Sequence, residues 1–232
     1  MSAGVFVSGT DTGVGKTLVS AALLAALNGA GVRAVGMKPV ASGSARAPAG
    51  LRNADAEMLI AHSHGAPDYS AVNPYALAEA VAPHLAAQAE RVDIALAPVQ
   101  AGFAALCTNA DCVVVEGVGG WAVPLSPTLM QADLVRALGL PVLLVVGLRL
   151  GCLNHALLSA RAIAADGCRL VGWIGNGVDP AMARVDENIA TLRERLAAPC
   201  LGVLPYADRP DPRALASELA RAAAHITDGI GT

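Results

Sequence analysis

At 232 residues, with 54% hydrophobic side chains and a formal charge of -3, the chain can fill a substantial core and carries no basic surplus for a nucleic-acid partner. Its mean hydropathy of +0.51 raises the question of a membrane protein. The most apolar run, residues 137–148, answers it: the run contains Pro141, is bounded by Arg136 and Arg149, and is too short to cross a bilayer. No basic leader precedes the first apolar segment, so no signal peptide is expected. The five cysteines lack CxxC spacing and the five histidines lack metal-site spacing, which suits reduced packing residues of a cytoplasmic protein. His62 and His64 are expected at a solvated helix end.

The first predicted strand, residues 4–8, runs into Gly9-Thr10-Asp11-Thr12-Gly13-Val14-Gly15-Lys16-Thr17 and a helix over 16–28. Strand, glycine-rich turn, Lys-Thr and helix are the parts of a phosphate-binding loop. Backbone N–H groups of the turn and the positive end of the helix dipole favour an anion there. Lys16 is placed to reach β- and γ-phosphates, and the Thr17 hydroxyl to face a magnesium ion. Thr10 stands where the usual pattern has its first glycine.

A second strand over 34–39 carries Lys38 near its carboxyl end. The lysine either snorkels to solvent or joins Lys16 at an anionic reaction centre such as a transferring phosphoryl group. Residues 41–51 read as a loop, and Asp55 reads as the N-cap or first-turn acid of a helix over 55–62. Residues 68–83, with Pro74 and Pro83, read as another loop, followed by a helix over 94–106. The strand over 112–116 is apolar at successive positions and ends in Glu116-Gly117-Val118-Gly119-Gly120. Its carboxylate can hold Mg²⁺ directly or through water, and its glycines let backbone approach a ligand closely.

A helix over 131–138 and a fully apolar strand over 141–147 follow. Gly151-Cys152-Leu153-Asn154 then opens a helix over 154–166 whose first N–H groups can receive a carboxylate. The strand over 169–176 ends in Asn176-Gly177, either a simple turn or an amide that reads a base edge. A helix over 182–196, a strand over 200–205 and a helix over 212–224 complete the pattern. Strands apolar at every position, alternating with helices, predict an α/β fold: a doubly wound, mostly parallel central sheet with helices on both faces, in one domain over 1–232. Every polar feature above follows a strand, where such sheets bind ligands.

The segments GTDTGVGKT, MKPVASGS, LRNADA, VVVEGVGGW, VVGLRLGCLNHA and GWIGN, in this order and spacing, resemble the dethiobiotin synthetases, members of the P-loop NTPase superfamily. The resemblance implies ATP- and Mg²⁺-dependent carboxylation of 7,8-diaminopelargonic acid with CO₂. On the same resemblance a carbamate and a carbamic-phosphoric anhydride would precede ring closure to dethiobiotin, with release of ADP and phosphate. It further implies that Thr12, Gly13, Val14, Gly15, Lys16 and Thr17 wrap the ATP phosphates, and that Thr17, Asp55 and Glu116 hold Mg²⁺. Lys16 and Lys38 would stabilise carbamate and phosphoryl charge, with Gly117, Val118 and Gly119 close to the nucleotide. Thr12, Lys38 and Ser42 would meet the diamine end of the substrate. Asn176 and Gly177 would meet adenine, and Pro205, Tyr206 and Ala207 the base or ribose. Leu150, Gly151, Cys152 and Asn154 from the partner of a homodimer would take the substrate carboxylate. The alternative is a regulatory ATPase switch of the partitioning or septum-site type, but those carry an extra lysine early in the loop, where this chain has Thr10-Asp11-Thr12.

Overall fold

A computed structural model describes residues 3–228. Strand β1 (Ala3–Gly9) leads through the glycine-rich turn into helix α1 (Lys16–Gly29), and β2 (Ala34–Met37) follows. The stretch read as loop holds short pairs instead: β3 (Val40–Ala41), then β4 (Ala45–Ala47) antiparallel to β5 (Gly50–Arg52). Next come α2 (Ala54–His62), α3 (Tyr69–Val72), and β6 (Tyr75–Ala76), which pairs parallel with β3. These small pairs lack the apolar runs that mark a buried strand, so the sequence pattern does not reveal them. Helix α4 (Pro83–Glu90) is a further element the pattern missed; Pro83 sits at its first position, where proline's missing N–H costs nothing.

The chain continues with α5 (Leu96–Cys107), β7 (Cys112–Glu116), α6 (Gln131–Leu138), β8 (Val142–Leu148), α7 (Cys152–Ala165), β9 (Leu170–Gly177), α8 (Val185–Arg195) and β10 (Cys200–Leu204). The expected last helix is two pieces, a 3-10 turn (Ala216–Leu219) and α9 (Ala220–Asp228). Helix α7 starts at Cys152, two residues before the expected position, because Gly151 (φ 95°) supplies the left-handed residue that turns the chain into it.

All six predicted strands join one parallel sheet in the order β10-β9-β8-β1-β7-β2. Neighbouring residues of a strand enter opposite cores. Val5, Val7, Val114, Leu143 and Val145 pack with Leu23, Leu24 and Leu27 of α1 and Ala222 and Ile226 of α9. Phe6, Val113, Val115, Leu144 and Val146 pack with residues of α5 to α8, including Val99, Leu134, Ile163 and Leu192. Both faces of the central strands β1, β7 and β8 are thus dry, which is why their runs are largely apolar. The topology reverses across β1, with β7 and β2 on one side and β8 onward on the other. The crevice beyond the carboxyl ends of β1, β7 and β8 is where such a sheet receives a ligand. No helix among the described residues is long and apolar enough to cross a membrane.

Candidate functional site

Strand register assembles the site. Val7 pairs with Glu116 and Met37 with Val115, so the ends of β1, β2 and β7 lie level and Lys38 emerges beside Glu116. Lys38 does not snorkel: it is 3% exposed, and its Nζ lies 2.6 Å from Glu116 Oε1 and 2.8 Å from Asp55 Oδ2. The same Nζ donates to the Gly117 carbonyl at 3.1 Å. Burial alone would lower the Lys38 pKa, but the neighbouring Glu116 and Asp55 charges outweigh it and raise the pKa above its ordinary value. Burial likewise pushes Asp55 upward, and the Lys38 charge more than reverses that, leaving its carboxyl below the usual value.

Asp55 is not the cap of α2. Asn53 is, its side chain accepting the N–H groups of Asp55 (3.1 Å) and Ala56 (3.4 Å). That leaves the Asp55 carboxylate, in the first turn, free to meet Lys38. Asn53 is itself tied down: its N–H donates to Tyr69 Oη at 2.8 Å, and its Nδ2 to the Ser42 carbonyl at 3.3 Å. The Tyr69 hydroxyl donates to Asn73 Oδ1, and Asn73 Nδ2 donates to the Lys38 carbonyl at 2.6 Å. Lys38, Ser42 and Asp55 are therefore joined by one chain of hydrogen bonds.

The phosphate-type loop closes over this cluster. Gly13 (φ 74°) and Gly15 (φ 84°) occupy the left-handed region that lets the turn wind into α1. Lys16 is 7% exposed and its Nζ donates to the Asp11 carbonyl at 3.0 Å and the Gly119 carbonyl at 2.5 Å. Burial, with the Lys38 charge adding to it, lowers its pKa to about 8. Thr17 Oγ1 donates to Glu116 Oε1 at 2.8 Å. Thr12 is exposed, and its N–H donates to Asp11 Oδ1 at 2.7 Å. Asp11 Oδ2 also meets Arg149 Nη2 at 2.5 Å, a bridge from the residue after β8 to the loop that sequence pattern does not disclose.

Asn176, at the end of β9, is 3% exposed and donates from Nδ2 to the Val14 carbonyl at 2.9 Å, directly beneath the loop. It sits so close that a Cβ on Gly15 would lie 2.1 Å from that nitrogen. Its Oδ1 is buried without a hydrogen-bond partner. Gly177 abuts Pro205 and Tyr206, whereas Pro205, Tyr206 and Ala207 are exposed and the Tyr206 hydroxyl donates to Asp208. In the β8–α7 turn Leu150 is 94% exposed, and Gly151 and Asn154 also face outward. Cys152 does not: its side chain is buried and its N–H already donates to the Arg149 carbonyl.

Among the described residues no group of three or more His, Cys, Asp or Glu side chains forms a metal cage. What stands at the mouth is a hydroxyl, Thr17, and two carboxylates, Asp55 and Glu116, around one ammonium. Glu116 Oε2 is buried and has no hydrogen-bond partner. Hard oxygens from one or two carboxylates, completed by phosphate and water, suit Mg²⁺. The donor set therefore fits that ion.

A family model described as "AAA domain" matches residues 3–213. The chain is 59% identical over 214 residues to the ATP-dependent dethiobiotin synthetase BioD of Xanthomonas euvesicatoria pv. vesicatoria, covering 92% of this chain and 96% of that one. It is 60% identical over 201 residues to the protein of the same name from Xylella fastidiosa, covering 87% and 89%. Among solved structures it is similar to the MinD cell division protein of Aquifex aeolicus, with TM-score 0.59, 14% identity and 97% of each chain covered. It is also similar to the septum site-determining protein MinD of Pyrococcus horikoshii, determined with Mg-ADP, with TM-score 0.59, 15% identity and 100% and 99% covered. At such identities the structural likeness establishes the doubly wound fold alone, while the sequence match spans nearly all of both chains. The chain belongs to the family of ATP-dependent dethiobiotin synthetases.

Proposed function

We propose that this enzyme, in a single domain, converts 7,8-diaminopelargonic acid, CO₂ and ATP to dethiobiotin, ADP and phosphate. The observation that carries the reading is the meeting of Lys16 and Lys38 on one glycine loop at the mouth of the phosphate-type turn. A substrate amine adds to the carbon of CO₂ and loses a proton, giving a carbamate. A carbamate oxygen attacks the γ-phosphorus of ATP, and the bond to the ADP oxygen breaks. The second amine then attacks the carbonyl carbon of the anhydride and loses a proton, closing the ureido ring as phosphate leaves.

The substrate supplies every nucleophile, so the protein's work is orientation and charge. Residues Thr12 to Thr17 wrap the triphosphate, Gly13 to Thr17 with backbone N–H groups, while the Thr12 N–H is held by Asp11. Lys16 follows the phosphoryl group and Lys38 faces the carbamate, opposing the negative charge that builds on the transferring oxygens. Thr17, Asp55 and Glu116 would hold Mg²⁺, which when bound neutralises phosphate charge. Ser42, tied to Asp55 through Asn53, borders the diamine end, and Asn176 Oδ1 can accept from an adenine amino group. The exposed Leu150 turn suits a homodimer in which Gly151 and Asn154 of one protomer receive the substrate carboxylate held by the other. The reading places the enzyme in the cytoplasm with small-molecule partners, without nucleic acid or membrane.

The test is to incubate purified protein with ATP, Mg²⁺, bicarbonate and the diamine and to seek the ureido product by mass spectrometry. Product that depends on the diamine supports the reading. ATP hydrolysis indifferent to the diamine, with no product, would favour a regulatory switch of the kind whose fold the sheet shares.

A further inference from the structure

Both lysines lean on a loop whose shape has a cause outside the phosphate-type turn. After β7 the chain runs Gly117-Val118-Gly119-Gly120-Trp121 in irregular conformation, with Gly117 accepting Lys38 Nζ and Gly119 accepting Lys16 Nζ. Such a segment holds its carbonyls at fixed places only if something fixes the segment. The side chain that does so is Gln131, 2% exposed, at the first position of α6. Its Oε1 accepts the Val118 N–H at 2.8 Å, and its Nε2 donates to the carbonyls of Gly120 at 2.7 Å and Trp121 at 3.4 Å.

Only a carboxamide can do both, since it presents an acceptor and two donors on one planar group. Gly117 makes room for it: a Cβ there would lie 2.7 Å from Gln131 Oε1 and 2.8 Å from the Phe6 ring. Gln131 is anchored in turn. Its own N–H donates to the Val123 carbonyl at 2.9 Å, and Asp133 Oδ2 accepts the Met130 N–H at 2.7 Å, fixing the start of α6. At the far end of the loop, Trp121 Nε1 donates to Asp166 Oδ2 at 2.7 Å.

We propose that Gln131 is a positioning residue for the transfer step: its carboxamide sets the loop whose carbonyls aim the Lys16 and Lys38 ammonium groups. The proposal rests on the reading above for the identity of the reaction. Gln131→Met keeps length and removes all three hydrogen bonds. Gln131→Glu keeps shape and the bond from Val118, but turns the two donations into carboxylate–carbonyl repulsion.

Each variant is assayed for kcat and diamine KM, with kcat expressed per nucleotide-binding site from the calorimetric stoichiometry of Mg-nucleotide. A misplacement on the order of 1 Å costs about 10²-fold in rate, so kcat per site is expected to fall roughly 10- to 100-fold while diamine KM changes little. A lowered melting temperature with unchanged kcat per site would mean a purely structural glutamine and would overturn the proposal. If Gln131→Met does not fold, Gln131→Glu decides by the same criterion. Hydrogen exchange of the Val118 amide checks the contact in the wild-type protein: slow exchange supports it, and fast exchange overturns it. That measurement needs no turnover, so a protein that makes no ureido product would sink the assigned reaction while leaving the loop assignment still decided by exchange.

Discussion

Replacing Lys38 with methionine removes a buried ammonium and keeps most of the side-chain volume. In the native protein Nζ is 2.6 Å from Glu116 Oε1 and 2.8 Å from Asp55 Oδ2, with the Glu116 side chain wholly buried and that of Asp55 42% exposed. Taking away one partner of a buried ion pair costs about 3–5 kcal/mol, because the other charge stays buried and uncompensated. Solvent screens the half-exposed Asp55, so the lower part of that range applies, and Glu116 dominates. For a chain of this size about 2–4 °C of melting temperature follows each kcal/mol, which gives a drop of roughly 6–12 °C in metal-free buffer. Mg²⁺ should then stabilise Lys38→Met more than wild type, since Thr17, Asp55 and Glu116 become an oxygen set with no competing cation. Turnover should fall by a factor on the order of 10²–10³, the loss typical of one strong transition-state donor. The assays are calorimetric melting with EDTA or Mg²⁺, and steady-state product formation. A variant that melts like wild type without metal would refute the charge assignment, and one that turns over unchanged would refute the catalytic role.

Gly15→Ala should abolish Mg-nucleotide binding by calorimetry: the new Cβ would fall 2.1 Å from Asn176 Nδ2, at a φ of 84° that alanine resists; retained affinity would show that the loop does not cradle phosphate. Lys16 offers a pH test. Its folded pKa is depressed to about 8, so burying the ammonium penalises the fold fully below pH 8, and the penalty disappears as pH rises to the unfolded value near 10.5. Ligand-free wild type should therefore gain stability on the order of 3 kcal/mol across that window relative to Lys16→Met; parallel pH profiles in denaturant titration would contradict it. For the shared site, Lys16→Ala and Asn154→Ala chains, each impaired alone, should recover activity when mixed and allowed to exchange subunits. No recovery in demonstrated heterodimers would count against a pocket built across the dimer.

The residues that could be read from sequence share one property: their signal is local. The apolar run from Val142 to Leu148 is a strand buried on both faces, whatever packs on it, and Gly15-Lys16-Thr17 after an apolar strand is a phosphate-type turn wherever it occurs. Position after a strand also placed Lys38, Glu116 and Asn176 in one crevice. What stayed hidden was the meaning of single polar residues. Asp55 could be a cap until Asn53 was seen to hold that place, and Lys38 could be solvated until the register set it against Glu116. Gln131 and Asn73 carried no signal at all, because a glutamine opening a helix and an asparagine ahead of a proline are ordinary residues in those places.

Periodicity and turn chemistry thus determined the six strands of the central sheet, most of its helices and their order along the chain, but not the short pairs β3–β6 and β4–β5 or helix α4. Only the tertiary structure decided which groups meet. Lys38 reaches Glu116 across 78 residues of chain and Lys16 reaches Gly119 across 103. A local pattern fixes backbone conformation over a few residues, but hydrogen-bond partners so far apart in sequence are selected by strand order and register, which no short window of residues contains.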